Sequence, residues 1–387
     1  IIVINQSCVW PSGLDMSKAK QHNPKDTNRI DAWLREDDIL INSTGTGTLG
    51  RICHINATIE KPFFADGHIT ILRDSKERIS LRFLFYLLSI RQEHITVECS
   101  EGATNQIELN RSLLGNLKIS WPKLNYQNTI ANYLDRKTAE IDRLIAAKKN
   151  LLSLLDEKKQ ALIAHAVTRG LDPDVGLKDS GIPWLGLIPE HWEPKPLKRL
   201  FKHVKRQNHP SHEVLSVYRD YGVIKKSSRD DNNNKTPEDL SVYQLVEKGD
   251  LVINKMKAWQ GSLGVSDYFG ITSPDYVVYR AVHSENDRFL HHSLRSPFMP
   301  SVYGSISNGI RPSQWRIEPN KFEQLLFFFP PKKEQERIVK YIDSALEKMD
   351  KLSSSLTQSI TLLQERRGAL ISAAVTGKID QEDLDAD

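Results

Sequence analysis

The residues most suggestive of chemistry are Gly45-Thr46-Gly47-Thr48-Leu49-Gly50, a G-x-G-x-x-G run after the strand-like Ile39-Leu40-Ile41, with Asp66 further on. Such glycines let a backbone close on a pyrophosphate, provided that a helix begins at them. The next residues, Arg51-Ile52-Cys53-His54-Ile55, alternate like a strand instead. The parallel place later in the chain, Met256-Lys257-Ala258-Trp259-Gln260-Gly261, carries no glycine pattern. The segment is therefore predicted to be a flexible strand–strand loop that offers Thr44, Thr46, Thr48 and Arg51 to a ligand.

No other constellation argues for catalysis. The chain has no G-x-x-x-x-G-K-[ST] phosphate loop, and Ser273-Pro274-Asp275-Tyr276 is not the Asn/Asp-Pro-Pro-aromatic motif of methyltransferases. His291-His292 reads as a solvated or partly packed pair on a helix rather than as a metal site. Glu334, Gln335 and Glu336 open a helix, where acidic groups suit the dipole. Cys8, Cys53 and Cys99 lie far apart and are odd in number, which disfavours a disulfide framework or zinc and fits a reducing cytoplasm. A net charge of +4 permits nucleic-acid binding without arguing for it. No apolar run approaches the roughly 20 residues needed to span a bilayer.

The chain repeats itself. Residues 122–172 match 330–380 without a gap: Gln127 falls on Gln335, Tyr133 on Tyr341, Asp135 on Asp343 and Asp142 on Asp350. Ala161-Leu162-Ile163 falls on Ala369-Leu370-Ile371, and Ala166-Val167-Thr168 on Ala374-Val375-Thr376. Upstream the likeness is looser, as where Asp38-Ile39-Leu40-Ile41-Asn42 parallels Asp250-Leu251-Val252-Ile253-Asn254. Each half thus has a divergent front and a near-identical back. The backs do one structural job, and the fronts share a fold but meet different things. The second front opens near Ser180, whose counterpart would precede Ile1, so about 30 residues of the first front are expected to be missing, by the offset between repeats.

In both backs apolar residues recur every three or four positions and tend toward heptads, which predicts long amphipathic helices of about 60 Å. Such a stripe must be buried, and the other copy is the cheapest partner, as an antiparallel coiled coil within the chain. Ile141, Leu144, Leu151, Leu155 and Leu162 are expected to pack against Met349, Leu352, Leu356, Leu363 and Leu370. The fronts read as mixed α+β. Runs 39–41, 69–72, 251–253 and 276–280 look like strands, 80–92 and 287–296 look like helices, and 230–234 reads as an exposed polar loop.

This plan resembles the DNA-specificity subunits of type I restriction-modification systems. The resemblance is carried by Pro330-Pro331, Glu334-Gln335-Glu336-Arg337-Ile338 and Tyr341-Ile342-Asp343, with a worn first copy around Pro122 and Gln127. It is carried also by Ala374-Val375-Thr376-Gly377, and by Ile182-Pro183-Trp184-Leu185-Gly186 with Pro189-Glu190-His191-Trp192. It implies two α+β target-recognition domains, 1–121 (incomplete at its start) and 179–329. Two conserved helical regions, 122–178 and 330–387, would join them as an intramolecular antiparallel coiled coil with a pseudo-twofold repeat.

The resemblance further implies a non-catalytic cytoplasmic subunit that reads a bipartite asymmetric site on double-stranded DNA. It would dock two methyltransferase subunits, with restriction or translocase subunits as further partners. S-adenosylmethionine, ATP and Mg would be held on those partners only. Candidate DNA contacts are Thr44, Thr46, Thr48, Arg51, Thr104, Asn105 and Gln106 in the first front. In the second they are Lys225, Lys226, Arg229, Lys255, Lys257, Trp259, Gln260, Arg311, Ser313 and Gln314. Lys195, Lys198, Arg199, Lys202, Lys205 and Arg206 form a further basic run. The alternative is a coiled-coil scaffold that does not read DNA.

Overall fold

The computed structural model describes residues 1–22, 33–45, 47–56, 63–74, 76–102, 107–229, 236–310 and 315–385. Contacts divide the chain into two units, one of 1–149 with 356–387 and one of 150–355. The division falls inside both long helices, so each unit holds one front and half of each helix.

In the first unit β1 (Ile2–Ile4) lies between 20–21, antiparallel, and 63–65, parallel. Next, β2 (Ile39–Asn42) sits between the antiparallel β3 (Ile52–His54) and β4 (Ile69–Leu72). All four residues of β2 are buried, which explains a continuous apolar run instead of alternation. Ser80 precedes α1 (Leu81–Ser89), whose Phe83, Tyr86 and Leu87 cluster with Ile130, Ala131, Tyr133 and Leu134 of α2 (Leu124–Arg169). No helix starts among the described residues of 45–50; β2 is followed by the antiparallel β3, as the alternation of 51–55 predicts.

The second unit repeats the plan. There β5 (Leu251–Asn254) lies between β6 (Leu263–Val265) and β7 (Tyr276–Ala281), with 201–204 as a fourth strand. A second four-stranded sheet is built from 222–225, 214–218, 270–272 and 244–246. Next comes α3 (Asp287–Leu294), followed by α4 (Lys332–Val375). Phe289, Trp192, Phe329, Ile338 and Ile342 share one core with Ala166 and Val167.

The strands β2 and β5 start alike. Asp38 and Asp250 are each 1% exposed. Asp38 accepts from the Arg35 amide at 2.7 Å and Asp250 from the Glu247 amide at 2.8 Å. The residue before each aspartate is left-handed, Asp37 at φ 67° and Gly249 at φ 90°. The turn imposes this conformation on either residue. Gly249→Ala is expected to cost about 1 kcal/mol, the left-handed penalty less the unfolded-state entropy regained, read as a lower urea midpoint.

Within each unit the long helices run antiparallel. In the first, Arg367 Nε and Nη2 donate to Asp142 at 2.9 and 3.2 Å, while Ile130 and Leu134 cluster with Ile371, Ala374 and Val375. In the second, Lys159 Nζ meets Asp350 at 2.5 Å, while Ala166 and Val167 cluster with Ile338 and Ile342. Asp142 and Asp350 are repeat equivalents, as are Lys159 and Arg367, so one ion pair is made twice.

The expected seam needs a correction. Ile141 is buried, and Leu155, Leu162, Met349, Leu356, Leu363 and Leu370 are at least half-buried. Leu144, Leu151 and Leu352 are about half exposed, at 52%, 51% and 51%. The inward line on α2 alternates four and three, through Ile141, Ile145, Lys148, Leu152, Leu155, Lys159 and Leu162. Leu144 and Leu151 stand one residue, about 100°, off that line. Two adjacent apolar residues fit either spacing, and only the facing helix chooses between them.

Candidate nucleic-acid interface

Each front is fastened to its helical half by the same two clamps. Gln127 accepts from the Ser80 amide at 2.8 Å and donates to the Pro122 carbonyl at 2.8 Å. Gln335 accepts from the Asn286 amide at 2.9 Å and donates to the Pro330 carbonyl at 2.9 Å. Ser80 and Asn286 immediately precede α1 and α3, so each glutamine ties a long helix to the start of its front's helix. Asp135 then holds Arg82 at 2.8 Å and Tyr86 at 2.7 Å, while Asp343 holds Arg288 at 2.8 Å and faces His292 at 3.4 Å. His292 and Arg288 bring the Asp343 carboxyl down to about 2, against its own desolvation. Glu334 adds a third tie in the second unit, accepting from His191 at 2.8 Å and from the Trp192 indole at 3.2 Å.

These clamps present two sheet loops that share a position and nothing else, 43–51 between β2 and β3 and 255–262 between β5 and β6. In the first, Thr44 Oγ1 donates to Gln6 Oε1 at 3.0 Å and lies 3.0 Å from His68 Nδ1. Thr48 Oγ1 donates to the Thr44 carbonyl at 3.1 Å. Gly45 is at φ 103°, and a Cβ there would stand 2.3 Å from Thr48 Oγ1, so this glycine serves a tight turn. Arg51 closes the loop and stacks over the Trp10 ring at 4.1 Å. In the second loop Lys255 Nζ donates to the Pro274 carbonyl at 2.9 Å, and Lys257 and Gln260 are exposed around a short helical turn. The rings of Trp259 and Trp315 meet edge to face at 5.3 Å.

Arg295 braces this second loop from below. Its Nη1 donates to the carbonyls of Leu263, Gly261 and Tyr218 at 2.7, 3.3 and 3.4 Å, and its Nη2 to that of Arg219 at 2.6 Å. Burial lowers its pKa to about 10. One turn earlier on α3, His291 Nδ1 donates to the Val265 carbonyl at 3.1 Å. Burial, helped by Arg295 and His292, lowers the His291 pKa to about 3. The His291-His292 pair is thus packed, and among the described residues no three His, Cys, Asp or Glu side chains gather as a metal site.

The other candidates divide. Lys225 pairs with Glu213 at 2.8 Å, Lys226 donates to Thr236 at 2.7 Å, and Arg229 lies 5.2 and 5.0 Å from the rings of Tyr218 and Tyr221. Lys225 ends a strand of the second sheet of their unit, and Lys226 and Arg229 lie in and just after the helical turn that follows it, apart in sequence from 255–262. Of the basic run, Arg206 is spent on Asp250 and Glu247, and Lys195 on Glu285 at 2.7 Å. Lys198, Arg199, Lys202 and Lys205 are exposed. Thr46, Thr104, Asn105, Gln106, Arg311, Ser313, Gln314 and the loop 230–234 lie outside the described residues. Sequence reasoning missed Trp10, Gln6, His68, Trp315 and Arg295. Trp10 had a signal, a large aromatic in the turn Val9-Trp10-Pro11-Ser12-Gly13, and it is 44% exposed. Arg295 had none, because its four acceptors come from distant segments.

Residues 11–154 match the family of the type I restriction modification DNA specificity domain. In Methanocaldococcus jannaschii, the chain named MjaX specificity subunit of a type I restriction enzyme is 31% identical over 147 residues, 37% of this chain and 33% of that one. The MjaVIII specificity subunit of the same organism is 25% identical over 171 residues, 43% of this chain and 36% of that one. The match thus spans about a third of the length of these relatives. The fold extends further. A solved chain of a type I R-M system superposes with a TM-score of 0.69 at 15% identity, covering 98% of this chain and 92% of that one. The HsdS subunit from Thermoanaerobacter tengcongensis gives 0.51 at 15%, covering 98% and 90%.

The fold class is α+β, with two mixed domains joined by paired long helices. Residues 11–154 are thus similar in sequence to the type I restriction modification DNA specificity domain, and the fold of nearly the whole chain is similar to that of solved type I R-M chains. No helix among the described residues is long and apolar enough to cross a membrane.

Proposed function

We propose that this chain is the DNA-reading subunit of a type I restriction-modification assembly. Each front contacts one half of a bipartite, asymmetric site on double-stranded DNA. The helical halves dock two methyltransferase subunits, and restriction or translocase subunits join the same assembly. S-adenosylmethionine, ATP and Mg belong to those partners, and this chain performs no covalent step. The observation that carries the reading is the contrast between identical clamps and unlike loops. Gln127 with Asp135 and Gln335 with Asp343 hold both fronts in one way, while 43–51 and 255–262 share no side-chain pattern. A frame kept constant under a varied loop is what sequence reading requires, since backbone contacts position a protein and base contacts specify. The specificity domain matched over 11–154 favours this over a scaffold that ignores DNA.

The test is a methylome. The chain is co-expressed with its methyltransferase subunit in a methylation-free host, and modified adenines are mapped by long-read sequencing. A two-part motif with a fixed gap is expected. Exchanging residues 179–329 for the front of another specificity subunit should change one half of that motif and leave the other. A methylated sequence that ignores the exchange would remove the DNA-reading role.

A further inference from the structure

Arg51 differs from the three arginines of its unit that are held by carboxylates. Arg73, Arg82 and Arg367 each neutralise an aspartate, Asp38, Asp135 and Asp142. Arg51 is half-buried yet makes no ion pair with a described residue. Partly desolvating a cation without an anion is unfavourable, and the Trp10 face with one long carbonyl contact offsets only part of that cost, which an added acceptor would complete.

Everything around Arg51 restrains it. Its amide donates to the Thr48 carbonyl at 3.1 Å, and its carbonyl accepts from the Asn42 amide at 2.9 Å, closing the loop onto β2. Its guanidinium lies 4.1 Å from the Trp10 ring centre. That ring is itself fixed, because Trp10 pairs with Gly13 and its indole donates to the Ser7 carbonyl at 3.0 Å. Arg51 Nη1 leans on the Val9 carbonyl at 3.4 Å, and the Nε–Nη2 edge, a planar fork of two donors, has no hydrogen-bond partner among the described residues.

We propose that Arg51, set by Trp10, reads a guanine of one half-site by donating to its O6 and N7. The inference rests on the DNA-reading role above. A phosphate is served as well by a mobile lysine, which neutralises charge and sets register without a fixed plane. A fork locked on an aromatic face matches the paired acceptors that guanine alone presents in the major groove. Adenine offers N7 beside a donor, so it cannot accept both N–H groups.

The experiment is selection of bound duplexes from a random-sequence library by the full-length chain co-purified with its methyltransferase subunit, with R51K, R51A and W10A beside the wild type. One invariant guanine is expected in the wild-type motif. It should become degenerate in R51A and R51K, with about a 10- to 100-fold loss of preference for guanine at that position, and the other half-site should be unchanged. W10A should show the same relaxation in weaker form, since it frees the guanidinium without removing it. R51K keeps the charge, so it separates a lost plane from a lost cation and guards against misfolding of R51A. The inference is overturned if R51A weakens all duplexes alike with an unaltered motif, or if binding does not change. A wild type that selects no motif at all removes the DNA-reading role itself, a result distinct from either.

Discussion

Arg295→Met should lower the stability of the second unit by about 2 to 3 kcal/mol and make one half of the recognised site degenerate. Two opposing effects set that figure. Burying the guanidinium is costly, as its pKa near 10 shows, and methionine of similar length recovers that cost. The Leu263 and Tyr218 carbonyls then lose this donor in a packed site, while that of Gly261 keeps the Leu263 amide and that of Arg219 reaches solvent. Each unsatisfied buried carbonyl costs about 1 to 3 kcal/mol, so their sum exceeds the recovered desolvation even after relaxation. Gly261 and Leu263 end the loop 255–262, so its release should reach whatever that loop contacts. Urea unfolding measures the first effect and the methylome the second. An unchanged midpoint would mean that water replaces the arginine, and the bracing role would fall.

Acid should destabilise the same unit before its carboxylates titrate. His291 has a folded pKa near 3 against 6.5 unperturbed, so the unfolded chain binds its proton first. Stability is therefore full above pH 6.5 and declines as pH falls toward 3, by at most about 1.4 kcal/mol per pH unit for this group. About 1 to 2 kcal/mol should be gone by pH 5. The cause is packing, since Cβ atoms built on Gly222 and Gly264 would stand 2.8 and 3.2 Å from the imidazole. A second cation would also face Arg295 and His292. His291→Asn keeps a donor for the Val265 carbonyl and cannot titrate. Its urea midpoint should change less between pH 7.5 and 5 than that of the wild type. Some slope should remain, because burial also depresses His54 and His283. Equal slopes in variant and wild type would exclude His291 as the source. Asp343 acts lower, adding stability that is present above about pH 4 and lost as pH falls toward 2.

Much of this was legible in the sequence because it is local or repeated. A three- and four-residue spacing encodes a helix with one buried side, and both long helices obey it. The alternation of 51–55 identified a returning strand where the glycines of 45–50 suggested a cofactor turn. A constant offset paired Gln127 with Gln335 and Asp135 with Asp343, and these proved to be the clamps. What tertiary structure alone decided is how each of several equivalent residues is used. Leu144 and Ile145 are adjacent and both apolar, and the facing helix buries the second. Arg206, Arg295 and Arg51 are the same residue type in basic or polar surroundings. One is spent on Asp250, one on four backbone carbonyls, and one is stacked on Trp10 without a carboxylate. Periodicity reports which side of an element is buried, because neighbours along the chain fix that. It does not report the partner, because Trp10 and Arg51, or Tyr218 and Arg295, meet only after strands distant in sequence have paired.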